Sequence, residues 1–184
     1  MKLAYITSTY RAGLISKTYC KWVDARKKVL DIGCGTGVVA DELRKSLKIE
    51  IAGCDIDSYL TRNVPFKKME NFSIIPYKKG EFNYTMFNDV LHHTEYQNQE
   101  KLIKEAVRVS KKVLVFELIP TFTGKISDFL INKIHNPNMN IPYTYRSPND
   151  WKTLFKSMGL KYKTSFVKKP FWYPFTHIGF LIEK

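Results

Sequence analysis

The sequence predicts an α/β fold built on a mostly parallel sheet with helices on both faces. Three observations carry that prediction. Short apolar runs alternate with segments of helical periodicity along most of the chain. The apolar run Val29-Leu30-Asp31-Ile32 leads straight into Gly33-Cys34-Gly35-Thr36-Gly37. The next apolar run closes on an acid, Asp55.

The elements follow in order. Residues 1–26 are expected to form an N-terminal helical segment, and 29–32 a short buried strand. Val39, Leu43 and Leu47 recur at i, i+4 and i+8, which predicts a helix over 38–47. Residues 49–54 read as the second strand and 82–88 as another, rich in aromatic residues. Leu102, Ala106 and Val109 share one face of a helix over 98–110. Residues 113–118 are a continuous apolar strand interrupted by one acid, Glu117. Residues 121–146 form a long connection with a helix around 127–135. A connection of that length in a compact domain is usually functional, so it is expected to be a lid. Ser147-Pro148-Asn149-Asp150 has the chemistry of a helix start, with a hydroxyl at the N-cap, proline at N1 and an acid at N3. That helix should run to Met158 and stop at Gly159. Two last strands, 161–167 and 178–183, are joined by the turn-rich segment 168–176.

A chain of 184 residues with 44% hydrophobic and 14% aromatic content is expected to be one domain, 1–184, with a sizeable core. That composition excludes a disordered chain. No apolar run reaches the roughly 18 residues of a membrane-crossing helix. The stretch Met1 to Ser8 lacks the pattern of a signal peptide. Cys20, Cys34 and Cys54 are odd in number and have no zinc spacing, so free thiols in a reducing cytoplasm are expected, with no metal. The net charge is +13, but 24 of the 30 basic residues are lysines, many in isolated pairs. Arginine is the better fork for phosphate, so the excess reads first as a solvated surface, and nucleic acid is not the expected partner.

The glycine run carries the chemistry. Glycine permits unusual backbone angles and lets a ligand approach the main chain. The helix that follows offers unpaired N–H groups and the positive end of its dipole. Gly33, Gly35 and Gly37 give G-x-G-x-G, whereas a dinucleotide fingerprint needs its third glycine at the position of Val38. No phosphate-binding G-K-[ST] occurs. The loop therefore suits a ligand without a pyrophosphate. Asp55, 18 residues after Gly37, can accept both hydroxyls of a ribose. Together they point to a nucleoside such as S-adenosylmethionine.

With these residues the chain resembles the class I S-adenosylmethionine-dependent methyltransferases. Further matches are Ile75-Pro76-Tyr77, Phe87-Asn88-Asp89-Val90-Leu91-His92-His93, Arg108-Val109-Ser110-Lys111-Lys112-Val113, and Trp151 with Gly159-Leu160. The Leu-His-His pattern is similar to that of small-molecule members. The resemblance implies a Rossmann-like, seven-stranded, mostly parallel sheet with an antiparallel last strand. It implies S-adenosyl-L-methionine as cofactor. Asp31, Gly33, Cys34, Gly35 and Gly37 would hold the methionine end, and Asp55 the ribose. Ile56 and Phe72 would lie at the adenine, Asn71 would accept from its amino group, and Asn88 would lie beside the methionine moiety. About 15 residues separate Asp55 from Asn71, so the second helix is expected to be short and the third strand meagre.

The reaction implied is an in-line displacement that needs alignment and exclusion of water, and for some acceptors a base. No base stands out; His92, His93, His177 and Glu117 are the candidates, with His135 in the long connection. Tyr143, Tyr145, Phe171, Trp172 and Tyr173 are expected to roof the site for an apolar or lipid-like acceptor. Lys27-Lys28, Lys78-Lys79 and Lys111-Lys112 precede strands and should lie opposite the cofactor. Lys168-Lys169 beside Phe171 and Trp172 should flank it, so residues 168–173 are a candidate peripheral membrane contact. Two rivals remain at this point: an RNA or protein methyltransferase, and a non-catalytic cofactor-binding partner in a complex. Acceptor identity, the atom methylated and the oligomeric state are not encoded in any motif.

Overall fold

A computed structural model describes residues 2–135 and 141–184. The first helix, α1 (Lys2–Tyr19), precedes β1 (Lys28–Ile32), α2 (Val38–Leu47) and β2 (Glu50–Asp55). Then come β3 (Phe66–Lys68), β4 (Phe82–Asn88), a 3-10 turn (Leu91–His93), α3 (Tyr96–Val109) and β5 (Ser110–Leu118). The chain finishes with α4 (Phe122–His135), α5 (Pro148–Ser157), β6 (Lys161–Phe166) and β7 (His177–Glu183). The strands form one seven-stranded sheet in the order β3-β2-β1-β4-β5-β7-β6. The pairings among β3, β2, β1, β4 and β5 are parallel, and β7 runs antiparallel to both β5 and β6. This is the Rossmann-like sheet that the sequence predicts.

The period-two alternation of strand side chains divides the core between the two faces. On one face Leu30, Ile32, Phe87 and Val115 pack with Leu102 and Ile103 of α3 and with Trp151 and Phe155 of α5. On the other, Val29, Met86, Leu114 and Phe116 pack with Ile15 and Tyr19 of α1 and with Val39 and Leu43 of α2. Burial of such side chains contributes roughly 1.5–3 kcal/mol each, and here it fixes both helical layers to a single sheet. The capping box expected before α5 is formed: the Ser147 hydroxyl accepts from the Asp150 amide, and the Asp150 carboxylate accepts from the Ser147 amide. Gly159, with φ +70, ends that helix.

Three expectations need correction. No helix lies between β2 and β3; residues 56–65 are irregular. That segment is rich in turn formers and lies back across the glycine loop. There the Thr61 amide donates to the Thr36 carbonyl, and Leu60 and Val64 pack over Gly37. The strand β5 begins at Ser110, three residues earlier than predicted, because Ser110 pairs with Phe82 and its hydroxyl meets that of Thr85 at 3.0 Å. The helix α4 begins at Phe122, not near 127. The Thr121 hydroxyl accepts from the Gly124 amide, an N-cap that offsets the low helix propensity of Gly124. Lys28, Lys111 and Lys112 lie at the starts of their strands and Lys78-Lys79 just before β4, as expected. No helix among the described residues is long and apolar enough to cross a membrane.

Candidate active site

The carboxyl ends of β1, β2 and β4 open into a cavity of about 500 Å³, walled on its other sides by α1, α4 and the 173–177 segment. That size is within the usual range for small-ligand sites. It has two ends of different construction.

One end is made of backbone and two carboxylates. The Gly33 amide donates to the Cys54 carbonyl at 2.8 Å, holding the turn against β2. Asp55 crosses the gap: one carboxylate oxygen accepts from the Gly35 amide at 2.9 Å, the other from the Ile56 amide at 2.7 Å. Burial raises the Asp55 carboxyl above its ordinary range, and those amides oppose the rise. Asp31 lies deeper. Burial pushes its pKa up to about 7, although the Asn88 amide donates to it at 2.9 Å. The Tyr19 hydroxyl in turn donates to Asn88 at 3.0 Å and fixes its amide orientation. Asp31, Gly33, Cys34, Gly35, Asp55, Ile56, Phe72 and Asn88 all line the cavity.

The three glycines of the loop differ. All have positive φ. A Cβ on Gly33 would stand 2.2 Å from Val90 Cγ2, and one on Gly37 would stand 2.8 Å from Leu60 Cδ2. A Cβ on Gly35 would meet nothing within 4 Å. Only Gly35 leaves open space where a ligand can reach the main chain. Gly37 does not line the cavity; it opens α2 in a left-handed conformation and is packed. Asn71 is also outside. It is exposed, and its side-chain oxygen accepts from the Ser73 amide at 2.7 Å, so a local turn has claimed the expected adenine acceptor. Cys34 and Cys54 lie buried beside the loop, where burial pushes both thiols up, while Cys20 is exposed.

The other end is made of ionisable side chains. Asp89 follows β4 in a left-handed conformation, φ +55, which turns its carboxylate inward. It meets Arg11 at 3.4 Å and His177 Nε2 at 3.1 Å. Burial would raise this carboxyl, but His177 and Arg11 beside it outweigh burial and lower it. His177 is buried, stacked on Phe116 and Tyr173, and its Nδ1 has no partner.

His92 belongs to a second cluster. Its Nδ1 lies 2.6 Å from Glu117, and its Nε2 lies 3.4 Å from Asp128 of α4 without the alignment of a hydrogen bond. Burial alone would keep His92 neutral; the two carboxylates prevail and lift its pKa to about 10. His93, edge-on to it at 4.3 Å, is driven down to about 3 by burial and by the charge on His92. The pair thus carries one positive charge. His92, His93 and Asp128 bring ligand atoms within 4.8 Å of one another.

His92, His93 and His177 line the cavity, and Glu117 does not. Glu117 is buried behind them, where it accepts from the Val90 and Leu91 amides as well as from His92. Of these base candidates Glu117 is the one outside the cavity: it fixes the backbone of the Leu-His-His turn. Of the five aromatics, Tyr173 alone lines the cavity. Tyr145 stacks on His92 at 5.2 Å and donates to Asp128 at 2.7 Å, while Phe171 and Trp172 face outward. The side chain of His135 lies outside the described residues. Sequence reasoning missed Arg11, Asp89 and Asp128. Asp89 sat inside a quoted motif, and the other two carried no local signal.

Comparison with known proteins is consistent with this geometry. Residues 10–165 match a family model described as a methyltransferase domain. No curated protein sequence matches the chain. Among solved structures, a cyclopropane-fatty-acyl-phospholipid synthase-like protein from Lactobacillus casei is similar, with TM-score 0.71, 16% identity, and 97% of this chain and 92% of that one covered. A SAM-dependent methyltransferase from Aquifex aeolicus gives TM-score 0.67 and 15% identity, covering 91% and 88%. The 1,6-didemethyltoxoflavin-N1-methyltransferase of Burkholderia thailandensis, solved with 1,6-didemethyltoxoflavin and S-adenosylhomocysteine, gives 0.68 and 12%, covering 96% and 78%. At these identities the likeness is one of fold.

Proposed function

Because the chain belongs to the methyltransferase domain family, we propose that it transfers the methyl group of S-adenosyl-L-methionine to a small molecule held in the same cavity. The observation that carries this reading is the open backbone at Gly35 beside the Asp55 carboxylate. A Cβ would fill space that no protein atom uses, and Asp55 keeps lone pairs beyond those given to two amides.

S-adenosyl-L-methionine is the cofactor, and when bound it supplies a methyl group made electrophilic by its sulfonium. Asp55 would accept from the ribose hydroxyls, with Ile56 and Phe72 against the adenine. Gly35 would present main chain to the methionine end, with Gly33 and Cys34 shaping the turn that holds it there. Asp31, ionised, would pair with the methionine ammonium, and Asn88 would hold Asp31 in place. The acceptor would lie towards Asp89, His177 and Tyr173. His177, oriented by Asp89 through Nε2, would in its neutral form take a proton from the acceptor at Nδ1, which has no partner among the described residues. Charged His92 has no lone pair with which to accept one. Within the expected lid, the inner face of α4 with Asp128, Ile131 and Asn132 would exclude water. Three free thiols fit a reducing compartment, so the reading places the enzyme in the cytoplasm.

Calorimetry with S-adenosylhomocysteine tests the first half. Wild type should bind, and Asp55→Ala should lose on the order of a hundredfold in affinity, as expected for two charge-assisted hydrogen bonds. Labelled methyl transfer into a cell metabolite extract tests the second. Failure of the wild-type chain to bind either the cofactor or its demethylated product would end this reading.

A further inference from the structure

The helix α4 is amphipathic in the reverse sense for a helix that meets water. Gly124 is buried, and Asp128, Ile131 and Asn132 line the cavity. The opposite face carries Phe122, Ile126, Phe129, Leu130 and Ile134, a spacing that puts all five on one side. All are exposed, Phe122 to 80% and Ile134 to 71%. Water is a poor neighbour for such a face, and apolar surface of this extent marks a contact site.

A second exposed apolar group flanks the same cavity. Phe171 and Trp172 stand outward while Tyr173, next in the chain, lines the cavity. Trp172 is held in place against Tyr10 at 4.9 Å. Both groups are set among lysines. Lys125 and Lys133 are exposed on α4, and Lys168 and Lys169 are exposed two to four residues before Phe171 and Trp172. Apolar and aromatic side chains bordered by lysines match the interface of an anionic bilayer, where the rings enter the headgroup region and ammonium groups meet lipid phosphate.

We propose that the outer face of α4 and residues 168–173 together dock the protein on an anionic membrane surface, with the cavity between them. The sequence suggested the second segment; the structure adds α4, which contributes more apolar area. Docking does not require the methyl-transfer reading. Taken with it, a lipophilic acceptor would enter from the bilayer along α4.

Co-sedimentation with mixed phosphatidylcholine–phosphatidylglycerol vesicles and with pure phosphatidylcholine vesicles tests this. The wild-type chain should partition to the anionic vesicles, and added salt should weaken the binding. Phe122→Ser/Ile126→Ser/Ile134→Ser should lower partitioning by about tenfold or more. Lys125→Gln and Lys168→Gln should each lower it by roughly fivefold. None of these residues lines the cavity, so affinity for S-adenosylhomocysteine should be unchanged and serves as the folding control. The proposal is overturned if wild type ignores anionic vesicles, or if the triple variant partitions as wild type does. It is also overturned if the face instead forms a concentration-dependent dimer that the triple variant abolishes. Vesicle binding without cofactor binding would keep the docking and remove the enzymatic reading.

Discussion

The two ends of the cavity solve the problem of holding a ligand in different ways. At the β1–β2 end the groups come from 25 consecutive residues, Asp31 to Asp55, and the backbone does much of the holding. At the other end Arg11, Asp89 with His92, Asp128 and His177 come from four distant segments and meet in pairs 3.1 to 3.4 Å apart. The first arrangement is rigid and tolerates any ligand with the right edge. The second depends on its protonation states, and under the proposed reading it would set which acceptor can lie there.

The largest effect should come from Glu117, on which the second end depends. Glu117→Ala leaves the Val90 and Leu91 amides and His92 Nδ1 unpaired in the interior. The expected cost is about 3–5 kcal/mol, a fall in Tm of roughly 10 °C by calorimetry. The pH dependence sharpens the test. His92 has a folded pKa of about 10 against about 6.5 unfolded. Its contribution is therefore full below about pH 6.5 and is lost as pH rises through about 10. In Glu117→Ala that decline should flatten.

Asp31 tests the first end with the opposite chemistry. Its folded pKa of about 7 exceeds the unfolded value of about 3.9, so the folded protein binds the extra proton between them, and stability falls as pH rises from about 4 to 7. Asp31→Asn should raise the stability of the ligand-free protein at pH 8, by an amount on the order of a few kcal/mol, and leave it little changed at pH 4. The same variant should bind the cofactor less well. A lower Tm at pH 8 would show that Asp31 is paired in a way not seen here.

The glycines give the finest comparison. Gly33→Ala combines a left-handed φ with a Cβ 2.2 Å from Val90, and should lose about 2–3 kcal/mol in urea unfolding. Gly35→Ala has the backbone strain alone, about 1–2 kcal/mol, but should weaken cofactor binding by about tenfold. Equal effects on stability and binding in both variants would erase the distinction between a packing glycine and a ligand-facing one.

What could be read from the sequence follows the same division. The sheet, α2, β4 and the α5 capping box were legible because periodicity and cap chemistry are local. Asp55 and Gly35 were legible because their spacing reflects one turn between two adjacent strands. The place of Asn71 outside the cavity was not legible, because the turn that joins its side chain to the Ser73 amide is not marked by its spacing from Asp55. The absent helix after β2 was misread because the space over Gly37, which Leu60 and Val64 fill, is set by tertiary packing. Arg11 and Asp128 gave no signal at all, since nothing near them in the chain says which charge they will meet.

The exposure of Cys20 and the burial of Cys34 and Cys54 make the chain a single-site target for maleimide chemistry as it stands. Cys20 directly follows α1, whose residues Thr7, Ser8 and Arg11 wall the cavity. A fluorophore attached there would ride on that wall, and its emission would follow any swing of the helix during turnover without one engineered residue.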